Sequence, residues 1–193
     1  YTVTGTSSNG CIGLPISATV TVNQVPNVQV SASSSSICSN QSVTLTATGA
    51  DSYIWSPSNS LSSLTGGIVT ATPAASTTYT VTGTSSNGCI GTFTIPITVN
   101  PLPTIQISPL NPTICSGQSI SITASGADTY VWSPSTGLSS TTGSVVNANP
   151  TASTTYAVTG TDLYGCSNTL NLPVTVNQLP IVQVSSNSLS ICP

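Results

Sequence analysis

Apolar and polar residues alternate along much of this chain. Val43, Leu45 and Ala47 are interleaved with Thr44, Thr46 and Thr48. Tyr79 and Val81 sit between Thr78, Thr80 and Thr82, and Phe93, Ile95, Ile97 and Val99 between Thr92, Thr94, Pro96 and Thr98. Successive side chains of an extended strand point to opposite faces, so this period of two predicts half-buried strands with their apolar faces inward. Within one unit the pattern predicts strands at 27–33 (A), 42–48 (B), 52–56 (C), 67–72 (E), 77–84 (F) and 90–99 (G), with a weak one at 60–64. Seven short strands at this spacing predict a small two-sheet sandwich. Pro96, repeated by Pro173, falls on the outward side of strand G and predicts an edge strand, because proline cannot donate to a ladder. Ser86–Gly88 reads as the F–G hairpin turn, with Asn87-Gly88 supplying positive φ values.

The pattern repeats. Trp55 and Trp132 are 77 residues apart, Cys38, Cys115 and Cys192 are spaced by 77 and 77, and Cys11, Cys89 and Cys166 by 78 and 77. The odd residue lies between Cys11 and Asn23, where a β-bulge would absorb it. The recurring strings VTVNQVP, ITVNPLP and VTVNQLP mark the joints. They divide the chain into residues 1–26, the C-terminal half (strands F–G) of one repeat; 27–103 and 104–180, two whole repeats; and 181–193, the first strand of another. A chain that starts and stops inside its own repeat is expected to be a window on a longer array.

Composition narrows the function. Lys, Arg, His and Glu are absent, and Asp51, Asp128 and Asp162 are the only charged side chains. Phosphate recognition requires basic residues, so nucleic acid is excluded as a partner. No apolar run is long enough for a spanning helix, so membrane insertion is not expected. General acid–base catalysis lacks His, Lys and Glu; Asp128 and Asp162 form the one conceivable carboxylate pair, and the first repeat has Ser85 and Ser86 near the Asp162 position. No enzymatic activity and no cofactor or metal are expected. A calcium bridge needs about six to eight oxygens, too many for one or two aspartates per unit. The outward threonines, which also occur on ice-binding faces, are explained by strand preference. Tyr53 shares a strand face with Trp55, which assigns it to the core, whereas Tyr164 in the F–G loop is the better exposed candidate for stacking on a sugar. Trp55, Trp132, Tyr79 and Tyr156 are the predicted core aromatics.

The segments ICSNQSVTLTATGADSYIWSP (Ile37–Pro57) and ICSGQSISITASGADTYVWSP (Ile114–Pro134), with STTYTVTGTSSNGC (Ser76–Cys89) and STTYAVTGT (Ser153–Thr161), resemble tandem Ig-like or PKD-like repeats. Such repeats occur in cell-surface proteins of Bacteroidota, including gliding-motility adhesins exported by the type IX secretion system. The tryptophans are followed by SPSN and SPST rather than the F-G-D-G run of PKD domains, which favours the Ig-like branch. The resemblance implies an all-β chain of tandem Ig-like β-sandwich domains in a linear array. Asp51-Ser52 and Asp128-Thr129 look like the start of the Bacteroidota O-glycosylation pattern, making Ser52 and Thr129 candidate sites; an Asx-type turn is the alternative.

Regularly spaced cysteines without C-x-x-C or histidine read as disulfides of an oxidising, extracellular setting. Two connectivities stay open, with free thiols as a third outcome. One pairs Cys38 with Cys89 and Cys115 with Cys166 inside each unit. The other pairs Cys38 with Cys166 across the joint of a head-to-tail stack and leaves the remaining cysteines to units outside the chain. The expected function is the structural region of an extracellular surface filament or adhesin stalk, giving reach and stiffness. Its expected partner is itself, with cell-surface glycans as a further possibility. The alternatives are a carbohydrate- or surface-binding module, or a spacer within a secreted enzyme.

Overall fold

The computed structural model of the chain describes residues 1–185, and every regular element among them is a strand. The strand expected within 181–193 falls mostly outside the described residues, and residues 181–185 carry no strand. The chain divides into two units, at Val99 and Asn100.

The first unit opens with a hairpin of β1 (Thr2–Val3) and β2 (Ile16–Ser17), which pairs Val3 with Ile16. An isolated bridge joins Thr6 to Ile12. Between these two contacts one side advances three residues and the other four. The extra residue is therefore accommodated as a bulge around Leu14–Pro15. The matching positions of the next copy pair Val81 with Phe93 and Thr84 with Ile90, three residues on both sides.

The rest of that unit contains β3 (Gln29–Ala32), β4 (Ser36–Cys38), β5 (Val43–Thr48), β6 (Ser52–Ser56), β7 (Ile68–Ala71), β8 (Thr77–Thr84) and β9 (Ile90–Asn100). They form two sheets, ordered β3-β5-β7 and β4-β9-β8-β6. The second unit repeats the arrangement with β10 (Gln106–Ser108), β11 (Thr113–Cys115), β12 (Ile120–Ser125), β13 (Thr129–Ser133), β14 (Val145–Ala148), β15 (Thr154–Thr161) and β16 (Ser167–Asn177). Its sheets are ordered β10-β12-β14 and β11-β16-β15-β13. In strand letters, each unit is A-B-E facing A′-G-F-C, an Ig-like topology.

Three expectations are corrected. Strand G is not an edge strand along its whole length. A short A′ strand, unforeseen from the sequence, runs parallel to its C-terminal end, pairing Thr113 with Thr175 and Cys115 with Asn177. Pro173 precedes the start of this pairing at Thr175, so its missing N–H costs no ladder bond. The weak strand at 60–64 is reduced to a bridge between Leu61 and Ala71, mirrored by Leu138 and Ala148. In the F–G hairpin only Gly88 has positive φ, at 80°. Gly88 N–H donates to Ser85 O and Ser85 N–H to Cys89 O, the geometry of a longer loop closed by a glycine bulge rather than a two-residue turn.

Each unit has its own core. Leu45, Trp55, Tyr79, Val81 and Ile97 are buried in the first, and Ile122, Trp132, Tyr156, Val158 and Leu172 in the second. All four predicted core aromatics are 2% exposed or less. Their polar atoms are matched inside. Trp55 Nε1 donates to Gly66 O and Trp132 Nε1 to Gly143 O, both at 2.9 Å. The Tyr79 hydroxyl is 2.6 Å from Ser60 Oγ, and the Tyr156 hydroxyl donates to Thr136 O at 2.8 Å. Among the described residues, no buried side-chain nitrogen or oxygen lacks a partner. Burial also pushes the Tyr156 phenol above its ordinary value of 10.0.

Candidate functional site

The cysteines occupy two kinds of turn. Cys38 and Cys115 end the A′ strands. Gln41 N–H donates to Cys38 O and Gln118 N–H to Cys115 O, both at 3.0 Å. Between them, Asn40 and Gly117 hold positive φ at equivalent places. The Gln41 side chain also accepts from Cys38 N–H at 3.1 Å.

Cys11, Cys89 and Cys166 close the F–G hairpins. In each copy one oxygen accepts from the cysteine N–H: Ser7 Oγ at 3.2 Å, Ser85 Oγ at 3.2 Å and Asp162 Oδ1 at 2.9 Å. Asp162 therefore does the work of a serine, and the same Oδ1 also accepts from Tyr164 N–H at 2.9 Å. Asp51 Oδ2 takes the Ser86 N–H at 2.6 Å. These carboxylates brace loops. Among the described residues, no group of three or more His, Cys, Asp or Glu is placed to hold a metal ion.

Cys38 and Cys166 are disulfide-bonded, whereas Cys11, Cys89 and Cys115 are free thiols. The within-unit pairs Cys38–Cys89 and Cys115–Cys166 are not formed. The register gives the reason for the second. Cys115 lies opposite Asn177 at one end of β16, and Cys166 immediately precedes the other end. Eleven residues of strand separate these ends by about 35 Å, against a Cα–Cα limit of about 7 Å for a disulfide.

Tyr53 and Tyr130 turn their rings inward, and each hydroxyl exchanges hydrogen bonds with the backbone N–H and C=O of Ala50 or Ala127. Tyr164 and Leu163 are exposed at the hairpin tip of the second unit, where the first has Asn87 and Ser86. Ser52 and Thr129 are exposed at the starts of β6 and β13.

One feature was missed from the sequence. Ile54 and Ile68 are 61% and 68% exposed, and their counterparts Val131 and Val145 are 56% and 55% exposed. They lie on β6 and β7, or β13 and β14, which are the outer strands of both sheets. Trp55 N–H donates to Leu64 O at 2.8 Å and Ile54 bridges to Thr65, so the segment leading into β7 closes against β6. The second unit has a hollow of about 380 Å³ here, lined by Tyr130, Val131, Thr142 and Gly143 among others. The signal was available: 77-residue spacing applies to these outward apolar positions as it does to the tryptophans.

No protein-family model and no curated protein matches the chain. Among solved structures it is similar to the C-terminal 282-residue fragment of intimin, with 16% identity and a TM-score of 0.49, over 77% of this chain and 64% of that one. It is also similar to the N-terminal eight Ig domains of Down syndrome cell adhesion molecule, with 13% identity and a TM-score of 0.41, over 79% of this chain and 25% of that one. A third likeness is to a Ca²⁺-stabilised adhesin of an Antarctic bacterium, with 16% identity and a TM-score of 0.38, over 92% of this chain and 56% of that one. The chain thus spans less than two thirds of each of these structures. At such identities the likeness concerns the fold, not the activity.

Proposed function

We propose that the chain is a structural repeat region of an extracellular surface filament or adhesin stalk, giving reach and stiffness and associating sideways with other copies. The observation that carries this reading is the apolar outer edge. Ile54 and Ile68 recur as Val131 and Val145, 77 residues on, as exposed apolar side chains on the outer strands of both sheets. Natural sheet edges are usually blunted by charge, especially lysine; this chain has no lysine. Asp51 and Asp162 are engaged in loop bracing, which leaves no spare acid–base pair and favours a non-enzymatic role. The disulfide-bonded state of Cys38 and Cys166 favours an oxidising, extracellular location.

The test is sedimentation of the full chain in reductant, alone and with Ile54→Lys and Val131→Lys together. The expected result is concentration-dependent association that weakens at least about tenfold in the variant, with unchanged circular dichroism. A wild-type chain that stays monomeric throughout would overturn sideways association.

The narrower attribution to Bacteroidota gliding-motility adhesins and type IX cargo rests on the motifs at Ile37–Pro57 and Ile114–Pro134. It carries with it O-glycosylation at Ser52 and Thr129. Material from the native source should then yield Ser52 and Thr129 peptides heavier than their sequence mass. Unmodified peptides would remove that part of the reading.

A second reading, a glycan-binding loop, is favoured by Leu163 and Tyr164 at the one divergent hairpin tip. Loss of glycan binding in Tyr164→Ala, with the fold intact, is its expected signature.

A further inference from the structure

We propose that the hollow beside β13 is a binding site for an organic ammonium ion with a short apolar chain, the chemistry shared by a lysine side chain and a free alkylamine. The inference does not rest on sideways association. The chain has no Lys, Arg or His, so no side chain of a second copy can supply the cation.

It starts from a difference between the repeats. Asp51 and Asp128 occupy equivalent positions, 77 residues apart. Asp51 commits its carboxylate to Ser86 N–H, at 2.6 Å. The counterpart of Ser86 is Leu163, and that hairpin is closed instead by Asp162, whose Oδ1 accepts from Tyr164 N–H and Cys166 N–H. Among the described residues, the Asp128 side chain has no hydrogen-bond partner. Of the three side-chain carboxylates it is the one left uncommitted.

That carboxylate belongs to a residue lining a cavity. The hollow of about 380 Å³ is bounded by Asp128, Thr129, Tyr130 and Val131 on one side and by Thr142 and Gly143 on the other. Its size lies at the small end of ligand pockets. Polar groups in its walls are already engaged. The Tyr130 hydroxyl exchanges bonds with Ala127, Gly143 N–H donates to Tyr130 O at 3.2 Å, and Gly143 O accepts from Trp132 Nε1 at 2.9 Å. What these walls offer is ring and aliphatic surface. Asp128 N–H donates to Thr161 O at 3.0 Å, and Thr161 directly precedes Asp162, so a second negative charge follows at the same end. An anion is repelled here, and a neutral ligand leaves the carboxylate unpaired. An ammonium ion pairs with Asp128 while its methylenes lie along the apolar wall.

The experiment is ligand-observed saturation-transfer NMR on the full chain at neutral pH, titrated with n-butylammonium. Saturable, weak binding is expected. Methylammonium, which lacks the apolar chain, should bind at least about threefold more weakly. So should n-butanol, which lacks the charge. Asp128→Asn should weaken butylammonium by at least about threefold, whereas Asp51→Asn and Asp162→Asn, which keep the oxygens that close their loops, should not change it. Competition by Nα-acetyl-lysine N-methylamide would identify a partner's lysine side chain as the ligand; its exclusion, with butylammonium still bound, would identify a free amine. Absence of saturable binding, equal binding of n-butanol, or unchanged affinity in Asp128→Asn would overturn the proposal. Sideways association is read by sedimentation without any amine, so either idea can fail without the other.

Discussion

The indole nitrogen of Trp132 donates to the Gly143 carbonyl from within a fully packed core. Trp132→Phe removes that donor and leaves an oxygen without its partner, in addition to a small void. Together these should cost about 3 kcal/mol, read as a lower denaturant midpoint for the second unit. Tyr156 makes the second prediction at this scale. Its folded phenol titrates above the ordinary value of 10.0 because burial disfavours the anion. Below pH 10 both folded and unfolded forms are protonated, and this contribution to stability is fully present. As pH rises through the folded value, the unfolded chain has already ionised and the contribution is lost. Tyr156→Phe should flatten that alkaline decline in a pH series of unfolding curves. Asp162→Ser, by contrast, restores the acceptor used in the other two hairpins and should shift stability by no more than about 0.5 kcal/mol. A drop of several times that would show that Asp162 does more than close its turn. Gly126 holds φ +96°, and a Cβ there would run into the Thr104 carbonyl. Gly126→Ala should therefore destabilise by more than about 1 kcal/mol in thermal unfolding.

At the scale of elements, the strands that alternate cleanly were legible. Strand β5 spans 43–48 and β8 spans 77–84, against expectations of 42–48 and 77–84. Alternation is visible there because one face is buried and the other wet. Strand A′ was not legible: three residues are too few to show a period, and its parallel partner lies some 60 residues downstream in β16. Two sheets were expected, but the order of strands within them was not legible, since alternation fixes a strand's faces and not its neighbours. Of the candidate site, the loop roles of the aspartates followed from comparing copies. The exposed Ile54 and Val131 did not, because an apolar residue between Tyr53 and Trp55 reads as core until the register places it outward. The hairpin turn was misjudged for a similar reason: Asn-Gly is shared by two-residue turns and by longer loops closed with a glycine bulge.

For the whole molecule, the near-absence of charge has a measurable result. With no Lys, Arg or His and a net charge of −3, there is little Coulomb energy for salt to screen. The thermal midpoint should be almost unchanged between low and moderate sodium chloride, yet rise in sulfate, which strengthens apolar burial. A marked chloride dependence would contradict this account. Each unit also carries one tryptophan, Trp55 or Trp132, so replacing either with Phe leaves a fluorescence reporter for the other unit.

The small A′ strand sets how a unit would give way under tension. It lies near the point where the chain enters the unit, and its partner, strand G, lies where the chain leaves. The two run parallel, with Thr113, Ile114 and Cys115 beside Thr175, Val176 and Asn177. Pulling the entry and exit points apart slides one strand lengthwise past the other. The bonds between them must then yield together in shear, whereas an antiparallel hairpin pulled from its open end peels one bond at a time. Three residues of pairing thus guard the route by which a stretched unit would begin to unravel.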